Sequence, residues 1–166
     1  MKILDTKRIQ LRYFELEDAP FIIELLNTES WKKFIGDKNV HTIGDAKLYI
    51  QNGLRDSYQK NGYGLYMVLL QEGTPIGMCG LVRRDYLDHA DIGFALLPQY
   101  EGLGYGFEAA EATLNYAREN LKLSTILGIT IPENKRSINL LERIGLKEIG
   151  TTKHPGSEEA LLLFST

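Results

Sequence analysis

The chain has 166 residues, 43% hydrophobic and 25% charged, with a formal net charge of −3. That length and balance suit one domain, residues 1–166, with its own core, and the acidic surplus argues against a broad electrostatic grip on nucleic acid. Apolar runs such as 65–70 are too short to span a bilayer. Asp5 comes too early for a secretory signal. One cysteine, Cys79, and three histidines leave no intrachain disulfide and no basis for a structural zinc site. The expectation is a cytoplasmic protein without metal, membrane or nucleic-acid partner.

Residues 8–14 alternate Ile9, Leu11 and Tyr13 with Arg8, Gln10 and Arg12, the period of a strand with one buried face. Asp18 then offers an N-cap oxygen with Pro20 in the first turn, and Phe21, Ile22, Leu25 and Leu26 follow at helical spacing. Residues 31–35 read as a short second helix. Thr42 and Asp45 have the spacing of a capping box, and Ala46, Ile50, Leu54 and Tyr58 recur every four residues, which predicts a long helix over 42–60. Two strands, 63–71 and 75–83, flank the turn Glu72-Gly73-Thr74, and a third covers 90–97. A helix over 105–120 places Phe107, Ala110, Leu114, Ala117 and Leu121 on one face. After a strand at 125–131, Asn134 caps a helix bearing Ile138, Leu141 and Ile144, closed by Gly145. Strands at 146–151 and 160–164 finish the chain. The order is β, three helical segments, βββ, α, β, α, ββ, which is α/β or α+β with a mixed sheet.

The chemistry concentrates in Pro98-Gln99-Tyr100-Glu101-Gly102-Leu103-Gly104-Tyr105-Gly106, between a strand and a helix. Three alternating glycines bare the backbone, so several N–H groups can converge at a helix N-terminus and hold a pyrophosphate. The competing reading is a plain connecting turn. A P-loop needs Gly-Lys-Ser/Thr where this loop has Gly-Phe-Glu. A dinucleotide fingerprint needs a different glycine spacing near the first strand of a βαβ unit.

Gln99-x-x-Gly102-x-Gly104 resembles the acetyl-CoA signature of the GNAT superfamily. The run Asp91-Ile92-Gly93-Phe94-Ala95-Leu96-Leu97-Pro98 through Glu108-Ala109 resembles its ribosomal-protein-type N-acetyltransferase branch. Three more stretches agree in order: Arg8-Ile9-Gln10-Leu11-Arg12 with Asp18, Ile76-Gly77-Met78-Cys79-Gly80-Leu81, and Asn134 to Leu146. The resemblance implies a GNAT fold: a mixed, mostly antiparallel sheet of about seven strands, splayed at its centre, with helices on both faces. Coenzyme A would lie between the strands at 90–97 and 125–131. Its pantetheine arm would bond to backbone near Leu96 and Leu97, like an added strand. Its pyrophosphate would sit on Gly102, Leu103, Gly104, Tyr105 and Gly106, with Gln99 opening the motif. Asn134 would reach the arm, and Lys135 and Arg136 the 3′-phosphate; plain capping and solvated charges are the alternatives.

The implied reaction is acetyl transfer from acetyl-CoA to a primary amine, a protein N-terminus or a small molecule, by direct attack in a ternary complex. Leu141 stands where many GNAT enzymes carry an acidic Tyr. The resemblance makes Ser137 the group assisting the sulfur, against the alternative of a helix-start Ser bonding the backbone. It makes Asp91 the base, against the alternative of a strand-edge charge in solvent. Glu108 suits the helix dipole, Cys79 the core. Trp31 and Phe34 are candidates for the acceptor wall, with core packing for at least one. His41, His89 and His154 have no partner visible in sequence. The turn at 153–157 is short, which leaves the acceptor site open or completed by a partner in a homodimer. A non-catalytic acyl-CoA-binding sensor is the rival class, kept open by Leu141.

Overall fold

The structure is a computed structural model that describes residues 1–166. Eight strands form one sheet: β1 (Lys2–Asp5), β2 (Ile9–Arg12), β3 (Leu65–Leu70), β4 (Pro75–Val82), β5 (Asp91–Leu96), β6 (Leu127–Thr130), β7 (Lys147–Thr152) and β8 (Leu161–Ser165). Their order is β1-β2-β3-β4-β5-β6-β8-β7. Sequence periodicity finds seven of them. It misses β1, a four-residue edge strand with little apolar alternation, held by pairing to β2.

Six helices cover both faces: α1 (Ala19–Leu26), α2 (Glu29–Phe34), α3 (Ile43–Tyr49), α4 (Asp56–Asn61), α5 (Tyr105–Glu119) and α6 (Lys135–Arg143). Helices α3 and α4 are the two ends of the long helix read over 42–60, joined by a wider π-type turn at Ile50–Arg55. The turn falls on Asn52 and Gly53, both poor at holding α-helical geometry. The Thr42–Asp45 capping box forms, with both reciprocal bonds present. Asp18 differs from its expected role. Its carboxylate makes no cap bond to α1 and instead grips the Arg12 guanidinium through two 2.9 Å hydrogen bonds. It also accepts the Glu15 amide at 2.8 Å. A carboxylate facing a bidentate arginine makes the stronger, charge-assisted contact.

Two apolar clusters sandwich the sheet. One packs Ile9, Val68, Ile76, Leu81 and Ile92 against Ala110, Leu114 and Leu141 of α5 and α6. The other packs Met67, Leu69 and Met78 against Ile22, Leu25 and Trp31 of α1 and α2 and against Ile50. Strand alternation carries this division along β5. Phe94 and Leu96 pack toward α5 and α6, Ala95 toward α1 and α2. Asp91 and Gly93 therefore share the α1–α4 face.

Candidate active site

Strands β5 and β6 run parallel yet meet at a single register pair, Asp91 with Leu127. Beyond it, β5 stays with β4 as far as Leu96, while β6 turns to β8 from Leu127 through Thr130. A V-shaped gap opens between two strands that would otherwise share a ladder. Hydrogen-bonding groups alternate sides along a strand. The Leu97 amide donates to Ile76 O at 2.8 Å, and its carbonyl accepts from Tyr100 at 2.9 Å. Both main-chain groups of Leu97 are thus engaged, and alternation turns those of Leu96 toward the gap.

The glycine loop heads this gap. Gln99 sits exposed in a 3₁₀ turn, Pro98–Tyr100. Gly102 and Gly104 have φ of +74° and +88°, a region that β-carbons disfavour. Gly104 is the N-cap of α5, so the first amides of Tyr105, Gly106 and Phe107 have no intrahelical partner. Gly106 has ordinary helical backbone. Its role is packing, since a β-carbon there would touch Leu140 of α6 and Leu96 of β5. Leu103 projects into solvent at 55% exposure. These features suit an extended arm and a pyrophosphate.

Sequence order places no cation in the loop, yet folding brings one. Arg8, 95 positions away, donates to Leu103 O at 3.0 Å and lies 4.4 Å from the Tyr105 ring centroid. Glu108 holds Arg8 there through a 2.7 Å ion pair and also binds Thr6. Burial works against the Glu108 charge, but hydrogen bonds from Thr6 and Arg8 keep its carboxyl below the usual range. Its job is to pin the β1–β2 turn onto the loop. Across the gap, Arg136 at the start of α6 pairs with Glu101 of the loop rather than standing free in solvent. Lys135 is exposed.

Asn134 caps α6, its Oδ1 accepting the Ser137 amide at 3.2 Å. The cap uses the backbone of Ser137 and leaves its half-buried hydroxyl uncommitted. Leu141 is a core residue at 1% exposure. It packs tightly onto β6, because a β-carbon at Gly128 would lie 2.7 Å from its side chain. No acid sits at that position, which concentrates attention on Ser137.

Asp91 is no solvent-edge charge. It is 1% exposed, and Arg84 Nε donates to its Oδ1 at 2.9 Å. Burial pushes its carboxyl up to about 6, with Arg84 opposing the shift. Arg84 belongs to the polar run 83–89, where sequence offers no sign of an inward partner. Its neighbours are Tyr86 and Tyr49, whose phenol burial lifts to about 12. Tyr86 in turn meets His154 Nδ1 at 2.6 Å, joining the β4–β5 loop to the β7–β8 turn. The short turn therefore forms part of this wall. His41 and His89 are exposed. Trp31 is buried in the core at 5% exposure, while Phe34 is half-exposed beneath Lys33. Cys79 is buried against Thr113 at 3.4 Å, its thiol pushed up to about 12 by burial, which removes it as a nucleophile.

Residues 8–147 match the family model of the acetyltransferase (GNAT) domain. YnaD of Bacillus subtilis (strain 168), described as an uncharacterized N-acetyltransferase, is 29% identical over 151 residues, covering 90% of this chain and 85% of that protein. The ribosomal protein uS5-alanine N-acetyltransferase of Escherichia coli (strain K12) is 29% identical over 105 residues, covering 61% of this chain and 54% of its own. The crystal structure of a GNAT-family acetyltransferase from Bacillus anthracis superposes with a TM-score of 0.81 at 26% identity, covering 100% of this chain and 98% of that one. No helix is long and apolar enough to cross a membrane.

Proposed function

The chain belongs to the GNAT family of acetyl-CoA-dependent N-acetyltransferases, and from that premise we propose which of its residues bind the cofactor and carry the transfer. The observation that carries the proposal is the gap opened beyond the single Asp91–Leu127 bridge, with the glycine loop at its head. Leu96 offers the pantetheine arm its free backbone edge. The amides of Gly102 to Gly106 hold the pyrophosphate, with Arg8 supplying positive charge behind them. Gln99 and Asn134 border the gap. Arg136 reaches the cofactor phosphates by exchanging its Glu101 partner.

The acceptor amine attacks the thioester carbonyl carbon, and collapse of the tetrahedral adduct expels the coenzyme A thiolate. Asp91 takes the proton the ammonium must lose, through water, since the carboxylate itself is enclosed. The Ser137 hydroxyl hydrogen-bonds the departing sulfur. A thiol's reference pKa of about 8.5 makes the help it must give modest. The acceptor is a protein N-terminus or a small amine. Transfer to a ribosomal protein, the reaction named for the uS5-alanine relative, is one such case.

Calorimetric titration with acetyl-CoA, using ATP and NAD as controls, tests the assignment. Micromolar binding of acetyl-CoA alone is expected; equal binding of ATP, or no acetyl-CoA binding, would refute it. The pH profile tests the base. Asp91 must be ionised to accept a proton, so kcat should fall as pH drops through about 6. That limb should vanish in Asp91→Asn. A limb that persists in the variant assigns the titration to another group.

A further inference from the structure

We propose that the acceptor carries a carboxylate on the carbon bearing its amine or on the next one, and that Arg84 binds that carboxylate. The inference rests on the acetyl-transfer reading above and names its substrate class: a free amino acid rather than a protein N-terminus or a polyamine.

At the apex of the gap the Asp91 side chain is 2% exposed and that of Arg84 31%. A molecule approaching the apex from the α1–α4 face meets the guanidinium before the carboxylate. Only Nε of Arg84 is spent on Asp91. Its Nη groups make no hydrogen bond to Asp91, and Tyr86 and Tyr49 lie near enough to feel the guanidinium charge. The bond to Asp91 holds the guanidinium in place, and His154 anchors the neighbouring Tyr86. A fixed guanidinium edge matches the two oxygens of a carboxylate.

The surrounding charges favour the same ligand. Burial first, then the nearby charges of Arg84 and Lys38, hold the His154 pKa below its usual value. Asp85 and Asp88 of the β4–β5 loop are exposed, and Arg83 is tied to the carbonyls of Arg84 and Leu87. An acceptor with a second ammonium would meet Arg84 and Lys38 and gain nothing from them. A peptide N-terminus has its carboxyl locked in an amide and leaves the fork empty. A zwitterion with adjoining ammonium and carboxylate sets its carboxylate on the Arg84 fork while its ammonium reaches Asp91 through water.

The test measures kcat/KM, per concentration of free-base amine, for several amino acids and their own amides by release of the coenzyme A thiol. The wild-type enzyme should favour acid over amide by at least about tenfold, the worth of one charge-assisted pair. In Arg84→Gln the ratio should fall to about one. Arg84→Lys, which keeps the charge without the fork, should lie between. Arg84→Gln leaves Asp91 buried without its partner, so the wild-type ratio and Arg84→Lys carry the test if that variant does not fold. Amides or short peptides used as well as the acids would overturn the inference. So would acetyl-CoA binding with turnover of neither class, and that result would leave the cofactor assignment standing. Absence of acetyl-CoA binding would overturn both.

Discussion

Replacing Ser137 by Ala and Asp91 by Asn together is expected to cut turnover by about 10²- to 10⁴-fold while acetyl-CoA binding changes little. Positioned acid–base groups contribute on that scale, and neither side chain carries the proposed backbone contacts to the cofactor. Both substitutions are mild in structural terms. Ser137 contributes its amide, not its hydroxyl, to the Asn134 cap, so alanine preserves the start of α6. Asn at position 91 keeps the size of the aspartate and an oxygen for Arg84 Nε, whose bond is 2.9 Å. The single variants apportion the loss. Asp91→Asn should lower kcat most below the point where the acceptor loses its proton unaided. Ser137→Ala should have the smaller effect, because a thiolate leaves without much help. Single-turnover rates with saturating acetyl-CoA check this directly, and an unslowed double variant would remove both residues from the chemistry.

Gly80→Ala is expected to destabilise the fold by about 3 kcal/mol or more, at the upper end of overpacking costs. A β-carbon at Gly80 would stand 2.1 Å from Gly64 O and 2.8 Å from the Leu65 Cα. Both obstacles are backbone, so no side-chain rotation relieves them. Gly77 faces the same problem from the other neighbour, with Ala95 O at 2.2 Å. The strand containing both glycines lies between β3 and β5 and positions the wall of the gap. For a chain of this size the expected fall in Tm is about 6–12 °C. Thermal unfolding of Gly80→Ala beside Gly53→Ala is the informative comparison. Gly53 has nothing within 4 Å of a β-carbon, so its variant should not be destabilised. An unchanged Tm in Gly80→Ala would mean that β3 and β4 can separate locally at little cost.

Much of this architecture is legible along the chain because its causes are local. Alternation in β2, helical spacing in α1 and α5, and the Thr42 and Asn134 caps depend on neighbours within a few residues. The glycine loop is local too, since a positive φ at Gly102 and Gly104 is written in the residue type. Strand β1 is the counter-example, since its four residues carry no clear pattern and its order comes from pairing with β2. Asp18 is another: its sequence position suggests a cap, but Arg12 outcompetes the helix for its carboxylate.

Residue order alone, then, was enough for most of the element sequence and for the glycine loop at the start of α5. Folding in three dimensions decided the partners. It brought Arg8 and Glu108 together behind the loop, Arg136 to Glu101 across the gap, and Arg84 to a buried Asp91. It also linked Tyr86 to His154, 68 positions apart, and so closed a wall that the short final turn left undefined. Backbone preferences are set by a residue and its near neighbours, whereas charge pairing and burial depend on which distant segments the sheet brings into contact.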